Sequence, residues 1–116
     1  MKVNSGTMHT VGILVDEHVL KRIRRGIPVG ERLDLYNRAA RGNNLDPVYI
    51  SLERINLKAR TVSGYRYADG AYRPVTIPIP RAVYNRALPA SPRLKTRMIG
   101  LNRISHVYNA QNRHSK

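Results

Sequence analysis

The chain has 116 residues with 21 basic and 7 acidic side chains, which give a formal net charge of +14 when the histidines are neutral. It contains no Cys, so disulfides, thiolate metal sites and cysteine nucleophiles are excluded. No apolar run approaches the roughly 20 residues that a membrane-spanning helix needs, and the N-terminus lacks the apolar core of a signal peptide. We therefore expect one domain on size grounds, located in the cytoplasm and without a membrane partner.

The first half of the chain alternates between strand and helix patterns. Residues 1–8 are small and polar, and we expect them to be flexible. The elements that follow are predicted as a strand over 9–15, a helix between Asp16 and Gly26, a helix over 31–41 and a strand over 48–52. Asp16 is expected to cap the first helix. Alternation of this kind implies a parallel sheet with crossover helices.

Residues 59–77 predict a β-hairpin. Asp69-Gly70 is the strongest two-residue hairpin signal, and it separates two runs rich in β-branched and aromatic residues. In this register Tyr67 faces Tyr72, which is a stabilising cross-strand pair. The prolines that follow remove ladder donors, so the hairpin is expected at an edge of the sheet, as an insertion.

A three-residue motif, Val-Tyr-Asn, occurs twice in the second half of the chain. It ends at Asn85 and again at Asn109, and each copy predicts a short strand, over 82–85 and 106–109, that stops where a loop begins. Ser91 followed by proline is a typical helix start, so a helix is predicted between the two strands. Open α/β sheets bind ligands at the carboxyl ends of such strands.

The polar residues at that edge are the candidate binding residues. The paired carboxamides of Asn85 and Asn109 are able to hydrogen-bond a substrate, although Asn also tolerates the turn geometry that follows a strand. Arg86 is able to clamp a carboxylate or a phosphate with two parallel hydrogen bonds, unless it is a solvated loop arginine. Asp16 lies at the end of the first strand, where the alternative to capping is a role facing the ligand.

The large positive charge favours polyanion partners such as nucleic acid, or else a surface that faces an acidic partner. Two groups of side chains are candidates for nucleic-acid contacts: the cations Arg93, Lys95 and Arg97, and the hairpin tyrosines Tyr65, Tyr67 and Tyr72. The alternatives are a solvated helix surface for the first group and simple hairpin packing for the second.

The chain lacks the signatures of a complete catalytic site. Gly12 stands alone, with neither a Walker pattern nor a dinucleotide fingerprint around it. The four histidines have no close pair at ligand spacing, and acidic residues are sparse after residue 53, so we expect no metal site. The isolated chain is therefore not expected to be an enzyme.

Seven segments of the chain together resemble one known family: GILVD (12–16), IPVGERL (27–33), YNRAARGN (36–43), DPVYISL (46–52), SGYRYADGAYRP (63–74), IPIPRAVYNR (77–86) and HVYNAQNRHSK (106–116). They resemble the N-terminal region of the YheC/YheD family, ATP-grasp proteins of endospore-forming bacteria that are associated with the spore coat. The most specific are the proline-spaced run into Asn85-Arg86 and the terminal Tyr-Asn followed by Ser115-Lys116.

The resemblance implies a small Rossmann-like, three-layer pre-ATP-grasp domain over residues 9–116, truncated before the ATP-grasp domain. Its sheet is expected to be mostly parallel, with the hairpin inserted. Such a domain helps to form the acceptor-substrate side of the cleft, while ATP and Mg²⁺ bind to the downstream ATP-grasp domain. This class of enzyme activates a carboxylate as an acyl phosphate, which an amine or a similar nucleophile then attacks.

The same resemblance assigns roles to residues that match the family's segments. Asn85, Arg86 and Asn109 are implied to contact the acceptor substrate, a small molecule. Arg113 and Lys116 are implied to lie on the phosphate side of the cleft.

Two other functions fit the sequence. A stand-alone basic module would bind nucleic acid or another polyanion, with an affinity that falls steeply as salt is added. A structural component of the spore coat would dock its basic surface on acidic coat proteins.

Overall fold

A computed structural model describes residues 9–28 and 31–109, and within these ranges six strands and three helices form a mixed α/β fold. The strands are β1 (His9–Leu14), β2 (Leu45–Asn56), β3 (Thr61–Ala68), β4 (Ala71–Pro78), β5 (Ala82–Asn85) and β6 (His106–Asn109). The helices are α1 (Glu17–Arg25), α2 (Glu31–Gly42) and α3 (Pro92–Ile104). The predicted flexible segment 1–8 lies outside the described residues.

The described strands form a single mixed sheet in the order β4-β3-β2-β1-β5-β6. The pairs β2–β1, β1–β5 and β5–β6 are parallel, whereas β2–β3 and β3–β4 are antiparallel. The prediction of a mostly parallel sheet therefore holds for the part formed by β2, β1, β5 and β6. The hairpin β3–β4 extends the sheet beyond β2 and makes the whole sheet mixed, at the edge where the prolines predicted it.

Strand β2 is longer than predicted, Leu45–Asn56 instead of 48–52. At its start, Pro47 pairs with β1 but precedes the residues that pair with β3, so its missing N–H interrupts no hydrogen bond to β3. At its end, the β2–β3 register shifts between Ile50 and Ile55, after which the pairing resumes. The hairpin partner therefore extends β2, and the strand bends at this irregularity.

The core consists of two clusters, because successive residues of a strand point to opposite faces of the sheet. Leu14 belongs to the cluster that includes Leu101 of α3, whereas Ile13 belongs to the cluster that includes Leu20 of α1 and Leu33 of α2. Helices α1 and α2 thus pack against one cluster and α3 against the other.

The two helix starts that the sequence predicted differ in how they are capped. The Ser91 side chain accepts a hydrogen bond from the Leu94 amide at 3.2 Å, as expected for an N-cap followed by proline. Asp16 occupies the N-cap position of α1, but its side chain makes no capping hydrogen bond. The predicted N-cap position of Asp16 is therefore confirmed, whereas its exposed side chain makes no hydrogen bond to the first amides of α1.

Tyrosines supply the aromatic part of the core, and their hydroxyl groups are linked across elements. The fully buried Tyr49 donates a hydrogen bond to Asn37 Oδ1 at 2.8 Å, and Asn37 Nδ2 donates to the Tyr72 hydroxyl at 3.1 Å. Burial raises the pKa of both tyrosines. The predicted Tyr67–Tyr72 pair is confirmed, with ring centroids 4.9 Å apart. This network ties α2 to β2 and to the hairpin.

Removing the Tyr49 hydroxyl tests this network. We expect Tyr49→Phe to lower the free energy of unfolding by about 1 kcal/mol, because a buried carboxamide oxygen loses its donor. Urea unfolding measures the change. Tyr108→Phe is the matched control, since that ring is half exposed, and an equal effect of the two substitutions would contradict a special role for the Tyr49 hydroxyl.

Candidate functional site

The carboxyl ends of β1, β5 and β6 lie at one edge of the sheet, with a switch point between β1 and β5. The chain passes from β1 to β2 on one side of β1, whereas β5 lies on its other side. Connections that diverge in this way leave a crevice outside the strand ends. Asp16 follows β1 and Arg86 follows β5, so both residues lie at this crevice.

Asn85, the last residue of β5, is used within the protein. Its side chain is buried, at 3 % exposure, and Oδ1 accepts a hydrogen bond from the Ala87 amide at 2.9 Å. This is the turn geometry that the sequence left open as the alternative to substrate binding. The carboxamide oxygen of Asn85 thereby orients the loop that carries Arg86.

The other sequence-predicted binding residues lie on or beyond β6. Asn109 pairs in register with Asn85, so the two asparagines end neighbouring parallel strands, as the repeated motif predicted. Arg113 and Lys116 lie outside the described residues.

Arg86 is fixed by its backbone and by an aromatic ring. Its amide donates a hydrogen bond to the Leu14 carbonyl oxygen at 2.8 Å, which continues the β1–β5 ladder by one residue. Its guanidinium carbon lies 5.5 Å from the centroid of the Tyr36 ring, within the distance of a cation–π contact. Among the described residues Arg86 forms no ion pair. Its hydrogen-bond donors therefore have no carboxylate partner in this part of the protein.

A second polar cluster at the same edge was missed by the sequence reasoning. The Glu17 carboxylate accepts a hydrogen bond from Ser51 Oγ at 2.5 Å and three from Arg54, of which the shortest is 2.9 Å. Burial alone would raise the pKa of Glu17. The hydrogen bonds from Arg54 and Ser51, with the charges of Arg54 and Lys21, outweigh it, so the pKa lies below its usual range.

Glu17 lies in the first turn of α1, where its negative charge also complements the helix dipole. The signal that points to its partners is the parallel pairing of β1 and β2, because the residue after β1 then lies beside the carboxyl end of the parallel part of β2. Ser51 and Arg54 follow that part directly. The cluster anchors the start of α1 behind the crevice.

A groove runs between α2 and the sheet and is lined by residues of α2, β1, β2 and β5. Its volume is about 390 Å³, and its lining is apolar except at Asn43 and the tyrosine hydroxyls. The lining residues are Val11, Ile13, Leu35, Tyr36, Ala39, Ala40, Asn43, Leu45 and Tyr84. Arg86 is not among these residues, but its guanidinium lies over the ring of Tyr36, which is, so Arg86 stands beside one end of the groove lining.

The hairpin tyrosines do not form an exposed platform. Tyr65 is buried, and Tyr67 and Tyr72 pack against the same cluster as α1 and α2. The packing alternative for this group is therefore confirmed. Arg66, which lies between two of these tyrosines, pairs with Asp46 at 2.9 Å.

The cations of α3 do not form one continuous patch. Arg97 is partly buried and donates a hydrogen bond to the Ile55 carbonyl oxygen at 3.1 Å. Arg93 and Lys95 are exposed. Lys95 lies two positions from each of the arginines and so faces a different side of α3, whereas Arg93 and Arg97, four positions apart, share a side on which Arg97 is partly buried.

Metal-binding groups and membrane-spanning helices were sought throughout the described residues. In the part of the chain that the structure describes, no group of three or more His, Cys, Asp or Glu residues could hold a metal ion. None of the helices in that part combines the length and the apolar composition that crossing a bilayer demands.

Comparisons with protein-family models, with curated proteins and with solved structures found no match to this chain.

Proposed function

We propose that this chain is the N-terminal, substrate-side domain of a YheC/YheD-like ATP-grasp protein. The observation that carries the proposal is the position of Arg86 at the switch point, next to an open groove and without an ion-pair partner among the described residues. The family resemblance on the sequence supports the same conclusion. In this proposal the acceptor substrate binds in the crevice, and the spore coat is where such a protein acts.

The proposed finer fold is a Rossmann-like pre-ATP-grasp layer. Strands β2, β1, β5 and β6 are parallel neighbours in this order, with helices on both sides of the core. The hairpin is then an addition to the edge of that layer. Such an arrangement supports ligand binding at the carboxyl edge rather than at the hairpin.

Arg86 would bind an anionic group of the acceptor. A guanidinium offers a planar pair of N–H donors to the two oxygens of a carboxylate or phosphate. The ladder hydrogen bond to Leu14 and the turn at Asn85 hold its backbone, and the Tyr36 ring supports its guanidinium. ATP and Mg²⁺ would bind to the downstream ATP-grasp domain, where they activate a carboxylate as an acyl phosphate.

The first test is the intact mass of the native protein in its source cells. The proposal expects a mass far above the 13.2 kDa of this chain. A native mass equal to that of the chain would contradict the proposal that it is part of an ATP-grasp enzyme.

The second test is kinetic and uses the larger native protein. We expect Arg86→Gln to raise the apparent Michaelis constant for the acceptor about 10-fold or more, the effect of losing one charged hydrogen-bonding group, while the constant for ATP stays the same. Arg81→Gln is the matched control, because Arg81 is an exposed cation at the opposite end of β5. An unchanged acceptor constant for Arg86→Gln would remove this residue from the site.

A further inference from the structure

The sheet face that carries the groove continues beyond α2 as a row of aromatic side chains. Tyr84 of β5 pairs with Tyr108 of β6, so both rings lie on the same face as Ile13. The Tyr84 and Tyr108 ring centroids are 6.5 Å apart, and the His106 ring lies 4.3 Å from that of Tyr108. Among the described elements, α1 and α2 pack over β2, and Tyr108 remains 50 % exposed.

The groove and the aromatic row form one continuous surface, because Tyr84 belongs to both. One wall is α2, where Leu35 is 56 % exposed and Ala39 is exposed. The floor consists of aliphatic side chains of β1 and the flat rings of β5 and β6. A volume of about 390 Å³ lies within the range of about 300–1,000 Å³ that small-molecule sites occupy.

The positive charge of Arg86 at one end of this surface indicates the kind of ligand that fits it. Arg86 lies on Tyr36, and within the described ranges it has no acidic partner. The residues that line the groove carry no charged side chain, so Arg86, beside Tyr36, is the charge that we assign to a ligand here. A ligand that matches this surface has an uncharged, apolar body and one anionic end.

We propose that the groove binds a small anion with a flat aromatic body, the body against Tyr84 and Leu35 and the carboxylate or phosphate on Arg86. This inference rests on the proposed function, since it names the acceptor class of the same site. A flat ring suits the floor because offset and edge contacts between rings add to the area that is buried. The anionic oxygens meet the guanidinium at the mouth of the groove, where solvent still reaches their remaining lone pairs.

Binding can be measured on the 116-residue chain by NMR titration with 2-naphthoate, 2-naphthyl phosphate and neutral 2-naphthamide. Both anions are expected to saturate the chain and to shift the same amides on α2, β5 and β6. Tighter binding of 2-naphthoate assigns a carboxylate ligand, and tighter binding of the phosphate assigns a phosphate ligand. The neutral amide is expected to bind about 10-fold more weakly, because it lacks the charge that Arg86 recognises.

Two pairs of variants locate the site. Ala39→Trp fills the groove from an exposed helix position and is expected to abolish binding, whereas Ala71→Trp, at an exposed position in the hairpin, is not. Arg86→Gln is expected to weaken the anions about 10-fold and to leave the neutral amide unchanged, while Arg81→Gln changes neither. If Ala39→Trp does not fold, Tyr84→Ser tests the floor of the groove instead.

The outcomes separate this inference from the proposed function. If Ala39→Trp and Ala71→Trp reduce anion binding equally, the groove is not the binding site. Saturation by a single-stranded oligonucleotide, with no response to the naphthyl probes, would also overturn the inference. Ligase activity in the native protein without groove binding would overturn this inference alone. Groove binding in a native protein of only 13.2 kDa would support this ligand class and overturn the ligase.

Discussion

Gly64→Ala is expected to lower the free energy of unfolding by about 3 kcal/mol, the upper end of the usual cost of overpacking a core. Gly64 lies in β3, where it pairs with Ile50 of β2 and Val75 of β4. A Cβ atom at this position would stand 2.1 Å from the Tyr49 carbonyl oxygen and 3.0 Å from Cγ2 of Ile50. Because the closest atom belongs to the backbone, the strands must separate to relieve the contact.

The effect is specific to the place where the hairpin joins the parallel part of the sheet. Gly42→Ala is the matched control, since nothing lies within 4 Å of a Cβ at that helix end. There the gain in helix propensity is expected to stabilise the protein by up to about 1 kcal/mol. Urea unfolding followed by circular dichroism measures both. Equal stability of Gly64→Ala and the unchanged protein would mean that β2 and β3 lie farther apart than described.

Glu17→Gln is expected to lower the free energy of unfolding by about 2 kcal/mol near pH 7, the range measured for hydrogen bonds to charged groups. The Ser51 hydroxyl is fully buried and donates to this carboxylate, and Arg54 pairs with it at 2.9 Å. The side chains of the ion pair are only 20 % and 22 % exposed, so water replaces the lost contacts poorly. Glu53→Gln is the control, because Glu53 is an exposed acid on β2, the strand that carries Ser51 and Arg54.

The same substitution is expected to have a pH-dependent effect. The pKa of Glu17 is lowered in the folded protein relative to its usual 4.5, since the bonds and charges around it outweigh the opposing effect of burial. A lowered pKa stabilises the folded state above the pKa of the unfolded chain, and this stabilisation is lost as the pH falls through the folded value. The difference between Glu17→Gln and the unchanged protein should therefore shrink below pH 4.5. A difference that stays constant in urea titrations across this range would contradict the ion pair.

These two substitutions concern the same structural problem, which is how a parallel unit and an antiparallel hairpin share β2. Gly64 allows the hairpin to approach the strand on one side. Glu17 holds the start of α1 against Ser51 and Arg54, which follow the parallel part of β2. The crevice at Arg86 lies on the β1–β5 side of the same sheet.

Much of the local structure could be predicted from short stretches of sequence. Asp69-Gly70 predicts the hairpin and the Tyr67–Tyr72 pair because the turn alone sets that register. Ser91 followed by proline predicts the start of α3. The two Val-Tyr-Asn motifs predict parallel strands that end side by side, since a single crossover helix connects them.

Other features were decided only by the tertiary structure, because they join residues that are distant in the chain. Glu17 meets Ser51 and Arg54 across separations of 34 and 37 residues, and no local pattern marks that contact. The length of β2 depends on its pairing with β3. The groove exists because α2 packs over β2 and leaves space above Tyr84 of β5. The sequence by itself determined the elements and their order, since periodicity and turn chemistry act over a few residues. Only packing decided that Arg86 lies on Tyr36, beside an apolar groove.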